Sequence, residues 1–123
     1  LGPKEIISEI SKYDFGLWFH DLHKDKHSLD LKFSTGNKLS SYLEAGIPFI
    51  YEKRLKFIDK IMKFHGLNIE YNSKSIKNIR KKLNSLNYKK LISNVSNMRD
   101  NFCMEKNFPR LEKFVKKIVS LKK

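Results

Sequence analysis

Gly36, Asn37 and Lys38 open the one stretch of the chain whose residue types and spacing suit anion chemistry. A glycine lets backbone approach a ligand closely, and the residues after it read as the start of a helix over 38–45. The first amides of a helix have no partner within it and carry the positive end of its dipole. A phosphate fits such a corner, and Lys38 adds a full positive charge. A second polar group is His20, Asp21, His23, Asp25, His27 and Asp30. By residue type it could hold a divalent metal. Lysines are interspersed, however, and no helix or strand fixes ligand geometry, so a solvated loop is the better reading and no metal is expected. His20 and Asp21 stand at the carboxyl end of a strand, where parallel sheets bind ligands, and are candidate ligand contacts.

Other reactive types read as structural. Cys103 is the lone cysteine, so no internal disulfide exists, and it falls on an apolar stripe between Phe102 and Met104. A buried thiol is expected there, not a nucleophile. Trp18 lies mid-strand and reads as core. His65 reads as a helix C-cap beside Gly66. Glu52 and Lys53 follow a strand directly and read as a solvated pair at its carboxyl edge. No catalytic residue is identified.

These residues need elements to position them. Pro3–Ser11 reads as a short helix with Ile6, Ile7 and Ile10 on one face. Tyr13–His20 is nearly continuous apolar sequence, the pattern of a strand covered on both faces. Residues 21–36 read as a loop over the carboxyl edge. The helix over 38–45 stops at Gly46, a natural left-handed cap, and Ile47–Tyr51 is a second strand. A helix over 53–65 ends at Gly66, and Leu67–Tyr71 alternates as a third strand. Ser73 or Ser75 can cap the next helix, with Ile76, Ile79, Leu83 and Leu86 at helical spacing. Helices follow from Tyr88 to about Met104 and from about Pro109, a good first-turn residue. Strands separated by helices imply parallel pairing. The expected fold is a small α/β three-layer sandwich: about three parallel strands flanked by helices, with a helical C-terminal tail.

The chain has 123 residues, 40% hydrophobic, enough for a single packed domain over residues 1–123. It starts at Leu1 and its first helix leads into the sheet as though earlier strands preceded it, so it is expected to be a piece of a larger protein. One cysteine and no apolar run of roughly 20 residues fit a cytoplasmic protein. The net charge is +13, from 26 Lys+Arg against 13 Asp+Glu. This balance suits an anionic partner or a solvated lysine surface.

Tyr13-Asp14-Phe15-Gly16-Leu17-Trp18, then Gly36-Asn37-Lys38-Leu39, Tyr42-Leu43, Ala45-Gly46-Ile47-Pro48-Phe49-Ile50 and Gly66-Leu67-Asn68-Ile69, resemble the C-terminal half of GT-B glycosyltransferases, which carry two Rossmann-like domains. Phe102 to Leu111 is similar to the segment joining their last two helices. The resemblance implies a partial Rossmann-like domain that binds a nucleoside diphosphate sugar, with Gly36, Asn37, Lys38 and Leu39 against the diphosphate. It implies no cofactor beyond the donor and no bound metal. Many members carry a glutamate five residues before the glycine of the Ala-Gly-x-Pro segment, bonded to the ribose. This chain has Ser41 there, and Glu44 almost one turn later on nearly the same face. Pro3 lies in a turn that is near the base in relatives.

The reading that follows is the donor half of a cytoplasmic glycosyltransferase of polysaccharide or glycolipid synthesis, inactive without its N-terminal acceptor domain. The alternatives are a basic nucleic-acid-binding module, or a membrane-surface or protein-interaction domain using the basic C-terminal helix. Aromatics lie mostly in apolar strand and stripe positions, so no specific nucleic acid is expected. Association at the inner membrane face and self-association through an unpaired sheet edge are both open partners.

Overall fold

The computed structural model describes residues 2–19, 32–33, 35–72 and 74–122. In chain order it forms α1 (Pro3–Ile10), β1 (Gly16–Trp18), α2 (Asn37–Ala45), β2 (Phe49–Glu52), α3 (Lys56–Phe64) and β3 (Glu70–Tyr71). A 3₁₀ turn (Ile76–Asn78), α4 (Ile79–Asn84), α5 (Tyr88–Phe102) and α6 (Met104–Leu121) complete it. The three strands form one parallel sheet in the order β1-β2-β3, with Gly16 opposite Phe49, Trp18 opposite Tyr51 and Glu52 opposite Tyr71. This is the expected small α/β fold with a helical C-terminal tail.

The connections explain the order. Gly46 and Gly66 adopt φ of 75° and 67°, a conformation that costs other residues dearly. Each reverses the chain after a helix: Ile47 N–H reaches back to Tyr42 O, and Leu67 N–H to Met62 O. Each short helix therefore delivers the chain to the next parallel strand.

Most of the core packs on the Phe49–Tyr51 face of the sheet, while β2 is buried on both faces, with Ile50 and Glu52 covered as well. The Tyr42 ring of α2 stacks on Phe49, and the Tyr51 hydroxyl donates to Asp59 of α3 at 2.9 Å. Both helices thus cover the face of Phe49 and Tyr51. Leu39, Leu43, Leu55, Ile58 and Met62 fill it, and α5 adds Leu91, Val95 and Met98. At about 25 cal/mol per Å², burying these apolar side chains is the main stabilising term. The other face departs from expectation at β1. Leu17 is 51% exposed and Phe19 58%, so this strand is not covered on both faces by the described residues.

The junction of the last two helices differs from the sequence reading. α6 begins at Met104, not near Pro109, which lies inside the helix. Asn107 starts it by bonding Cys103 O and Asn101 O through its side chain, each at 2.8 Å. Cys103 is therefore not on a buried stripe. It is the half-buried extended residue between α5 and α6, with its thiol donating to Asp100 O.

Both sheet edges carry side-chain stoppers. Gly16 N–H bonds the O of Pro48, just before β2, so Leu17 presents its polar groups outward. The Tyr42 hydroxyl takes both: it accepts from Leu17 N–H at 3.2 Å and donates to Leu17 O at 2.8 Å. On β3, Lys82 Nζ donates to Glu70 O at 2.8 Å. Self-association through an edge has to displace these groups.

Candidate functional site

Everything of interest gathers where the strands end. α2 follows the long connection from β1. Its cap residue Gly36 is extended, with φ −101° and ψ 167°, and no side chain caps the helix. Asn37 and Lys38 are exposed, and their backbone N–H groups have no partner among the described residues. Leu39 differs. Its N–H is taken by Gly36 O at 3.2 Å and its side chain is buried in the core. The free donors at this corner are therefore Asn37 and Lys38, not Leu39.

Gly36 has a second reason to be glycine. A Cβ there would lie 3.0 Å from Trp18 Cζ2. The indole packs beneath the turn, and its Nε1, fully buried, has no partner among the described residues. Trp18 is core, as its mid-strand place implied, and it also supports the corner.

Ser41 and Glu44 lie along the same helix. The half-buried Ser41 donates its hydroxyl to Asn37 O at 3.1 Å, leaving its oxygen lone pairs to accept. Glu44 is exposed. With Leu39, Ser40, Leu43, Arg99, Phe102 and Cys103 it lines a cavity of about 330 Å³ between α2 and α5. Pro3 is the first residue of α1, where Gly2 N–H donates to Glu5 Oε2 at 2.7 Å, and α1 packs on α2. His20 and Asp21, with the remaining histidines and aspartates of that cluster, lie outside the described residues.

The end of β2 corrects a reading. Glu52 is not solvated and does not pair with Lys53. It is 2% exposed, and Arg54 holds it through Nε at 2.9 Å to one oxygen and backbone N–H at 3.2 Å to the other. Glu52 pairs with Tyr71 in register, and Phe19 directly follows Trp18, which pairs with the neighbouring Tyr51. The Phe19 and Tyr71 rings are parallel within 5° and 6.0 Å apart, so they meet over this row. The Tyr71 hydroxyl is buried, with no partner among the described residues. Burial first, then the Glu52 carboxylate, push its pKa up to about 12, against the opposing charge of Arg54. It stays a neutral donor at ordinary pH. The sequence signal for this pair was an acid two residues before an arginine just past a strand.

The arrangement is thus a parallel sheet whose carboxyl edge presents two amides without partners among the described residues and a lysine, beside a carboxylate paired with Arg54. Residues 1–108 match the model of the Glucosyltransferase 3-like, C-terminal domain family. The chain belongs to this family. As a glucosyltransferase 3-like C-terminal domain it is part of a glycosyltransferase lineage, and the match ends at Phe108, one turn into α6. The comparisons with curated proteins and with solved structures gave no match. No described helix of the domain is long and apolar enough to cross a membrane.

Proposed function

We propose that this domain binds the nucleoside diphosphate sugar of a GT-B-type glycosyltransferase, holding the diphosphate at the Gly36–Lys38 corner. The single observation that carries the reading is the pair of unpartnered, exposed N–H groups of Asn37 and Lys38 at the carboxyl edge of a parallel sheet, in a chain of the glucosyltransferase 3-like family. As the glycosidic bond to phosphate breaks, negative charge grows on the departing diphosphate. Fixed amides, the helix dipole and the Lys38 ammonium stabilise that charge without reorganising. In this reading Ser41 or Glu44 accepts from the ribose and Pro3 serves the base, while His20 and Asp21, outside the described residues, remain the candidate sugar contacts. No metal enters this scheme.

The test is NMR titration of the ¹⁵N-labelled chain with UDP, GDP and ADP. Shifts centred on Asn37 and Lys38 are expected with one of them. Lys38→Ala should weaken binding about tenfold, the loss of one charge-assisted contact. No shift at these amides with any of the three at millimolar concentration would overturn the assignment.

A further inference from the structure

Among the described residues, two buried side-chain donors lack an acceptor: the Tyr71 hydroxyl and the indole Nε1 of Trp18. Tyr71 lies beside the Glu52–Arg54 pair, whereas Trp18 lies at the anion corner itself. Trp18 closes β1 and is 4% exposed. Its ring edge meets the turn that opens α2. From the position a Cβ would take on Gly36, Cζ2 is 3.0 Å away, Cη2 3.3 Å and Cε2 3.9 Å. Nε1 is bonded to Cε2, which puts the N–H on the edge of the ring that the turn covers. Glycine at 36 keeps that edge clear of any side chain. The next two residues, Asn37 and Lys38, are exposed and carry the unpartnered amides.

A buried N–H without a partner is costly, and proteins rarely keep one. Phenylalanine would retain an aromatic contact with Phe49, whose centroid is 6.0 Å away, at no such cost. What satisfies the N–H has to be an acceptor, and the corner selects its kind. Lys38 supplies a full charge, α2 its dipole, and Asn37 and Lys38 two further donors, while no acid stands between Thr35 and Leu43. All of these attract an anion. We infer that the Trp18 indole N–H is a third donor of the diphosphate corner, taken by a phosphate oxygen when the ligand binds at Asn37 and Lys38. This rests on the donor-binding reading above and adds a residue to it. The N–H is fully buried in the free chain, so the Gly36 turn has to lift off the ring to let the oxygen reach it. Glycine, the least restricted backbone, permits that movement. Pairing occurs only in the bound state, so the contact strengthens anion binding without stabilising the free chain.

Trp18 is the chain's single tryptophan, so a ¹H–¹⁵N spectrum of the labelled chain holds a single indole cross-peak. Titration with inorganic pyrophosphate, then with UDP, GDP and ADP, reads that peak together with the Asn37 and Lys38 amides. The indole proton should move downfield and saturate at the same ligand concentration as those amides. Trp18→Phe should weaken pyrophosphate binding about tenfold, the loss of one bond to a charged oxygen, with the spectrum away from the corner unchanged. The wild-type titration decides the matter even where this variant perturbs the fold. Shifts at Asn37 and Lys38 with a stationary or upfield-moving indole overturn the inference and leave the donor reading standing. An indole that moves downfield with pyrophosphate while no nucleotide binds supports the inference and removes the donor reading. Silence of the indole and of both amides with every ligand at millimolar concentration removes both.

Discussion

Replacing Gly16 by alanine separates two physical accounts of β1. Propensity alone predicts a gain of about 0.5–1 kcal/mol, since glycine within a strand costs that much relative to alanine. The geometry predicts a loss. A Cβ on Gly16 would lie 2.4 Å from Tyr42 Cε1 and 2.6 Å from Cδ1 and Cζ. Ordinary carbon contacts begin near 3.5 Å, so the ring has to shift by about 1 Å or more. That shift breaks both hydrogen bonds to Leu17 and disturbs the stack on Phe49, whose centroid lies 5.2 Å away.

The magnitudes follow. Leu17 is half exposed, so water recovers much of its bonding, and the two hydrogen bonds together are worth about 1 kcal/mol. Overpacking adds about 1–3 kcal/mol. Gly16→Ala should therefore destabilise by about 2–4 kcal/mol, and Tyr42→Phe by about 1. The two are coupled: with Gly16→Ala present the hydroxyl is already displaced, and Tyr42→Phe should then cost almost nothing. Urea unfolding of the four chains measures the cycle. A stabilised Gly16→Ala chain, or an equal Tyr42→Phe cost in both backgrounds, would refute the account.

Tyr42→Phe should also free the Leu17 edge and raise self-association, read as a concentration-dependent sedimentation coefficient; no change would mean the hydroxyl is not the stopper. Glu52→Gln should cost about 1–2 kcal/mol by breaking the Arg54 pair, discounted because Arg54 is partly exposed. The same change removes the negative neighbour of Tyr71 and should lower its pKa from about 12, read by alkaline tyrosine absorbance; an unmoved titration would argue against that contact. Burial alone would raise the Asp59 pKa, but hydrogen bonds from Lys63 and Tyr51 outweigh it and hold it below 3.8. Its contribution is thus present above its ordinary pKa and lost as pH falls through the lowered one. Asp59→Asn should be less stable than wild type at neutral pH, with the gap closing in strong acid; a gap independent of pH would refute the linkage.

What could be read in the sequence was local. Gly46 and Gly66 were legible as left-handed stops because the conformation belongs to the residue itself. The strands around Gly16, Phe49 and Tyr71 were legible from apolar spacing, although β1 and β3 are shorter than their apolar runs. The rest is long-range. Tyr42 plugs an edge 25 residues away, and nothing in its own neighbourhood announces that. Gly36 was legible as a special position, yet for only one of its two reasons, since the Trp18 ring beneath it arrives from another strand. Pro109 looked like a helix start by its own preference, but the Asn107 amide had already nucleated the helix one turn earlier. Glu52 was misread because adjacency to Lys53 is a weaker guide than the turn that brings Arg54 back onto it.

The polar groups of the carboxyl edge divide into those already engaged and those still free. Ser41 donates to Asn37, Leu39 N–H goes to Gly36, and Glu52 is neutralised by Arg54. Among the described residues, Asn37 N–H, Lys38 N–H and the Lys38 ammonium remain as free donors at this corner. These groups attract and hold negative charge. They are poor acceptors of a proton, and activating a sugar acceptor requires one. Under the proposed function the base is expected from another domain, and the chain alone should bind donor without turning it over. Purified chain incubated with a bound nucleotide sugar and a range of acceptors should release no nucleoside diphosphate above the rate in buffer, while the Asn37 and Lys38 amides still report binding. Release at an enzymic rate that Lys38→Ala abolishes would show that the domain carries its own base, and the division of labour argued from its edge would be wrong.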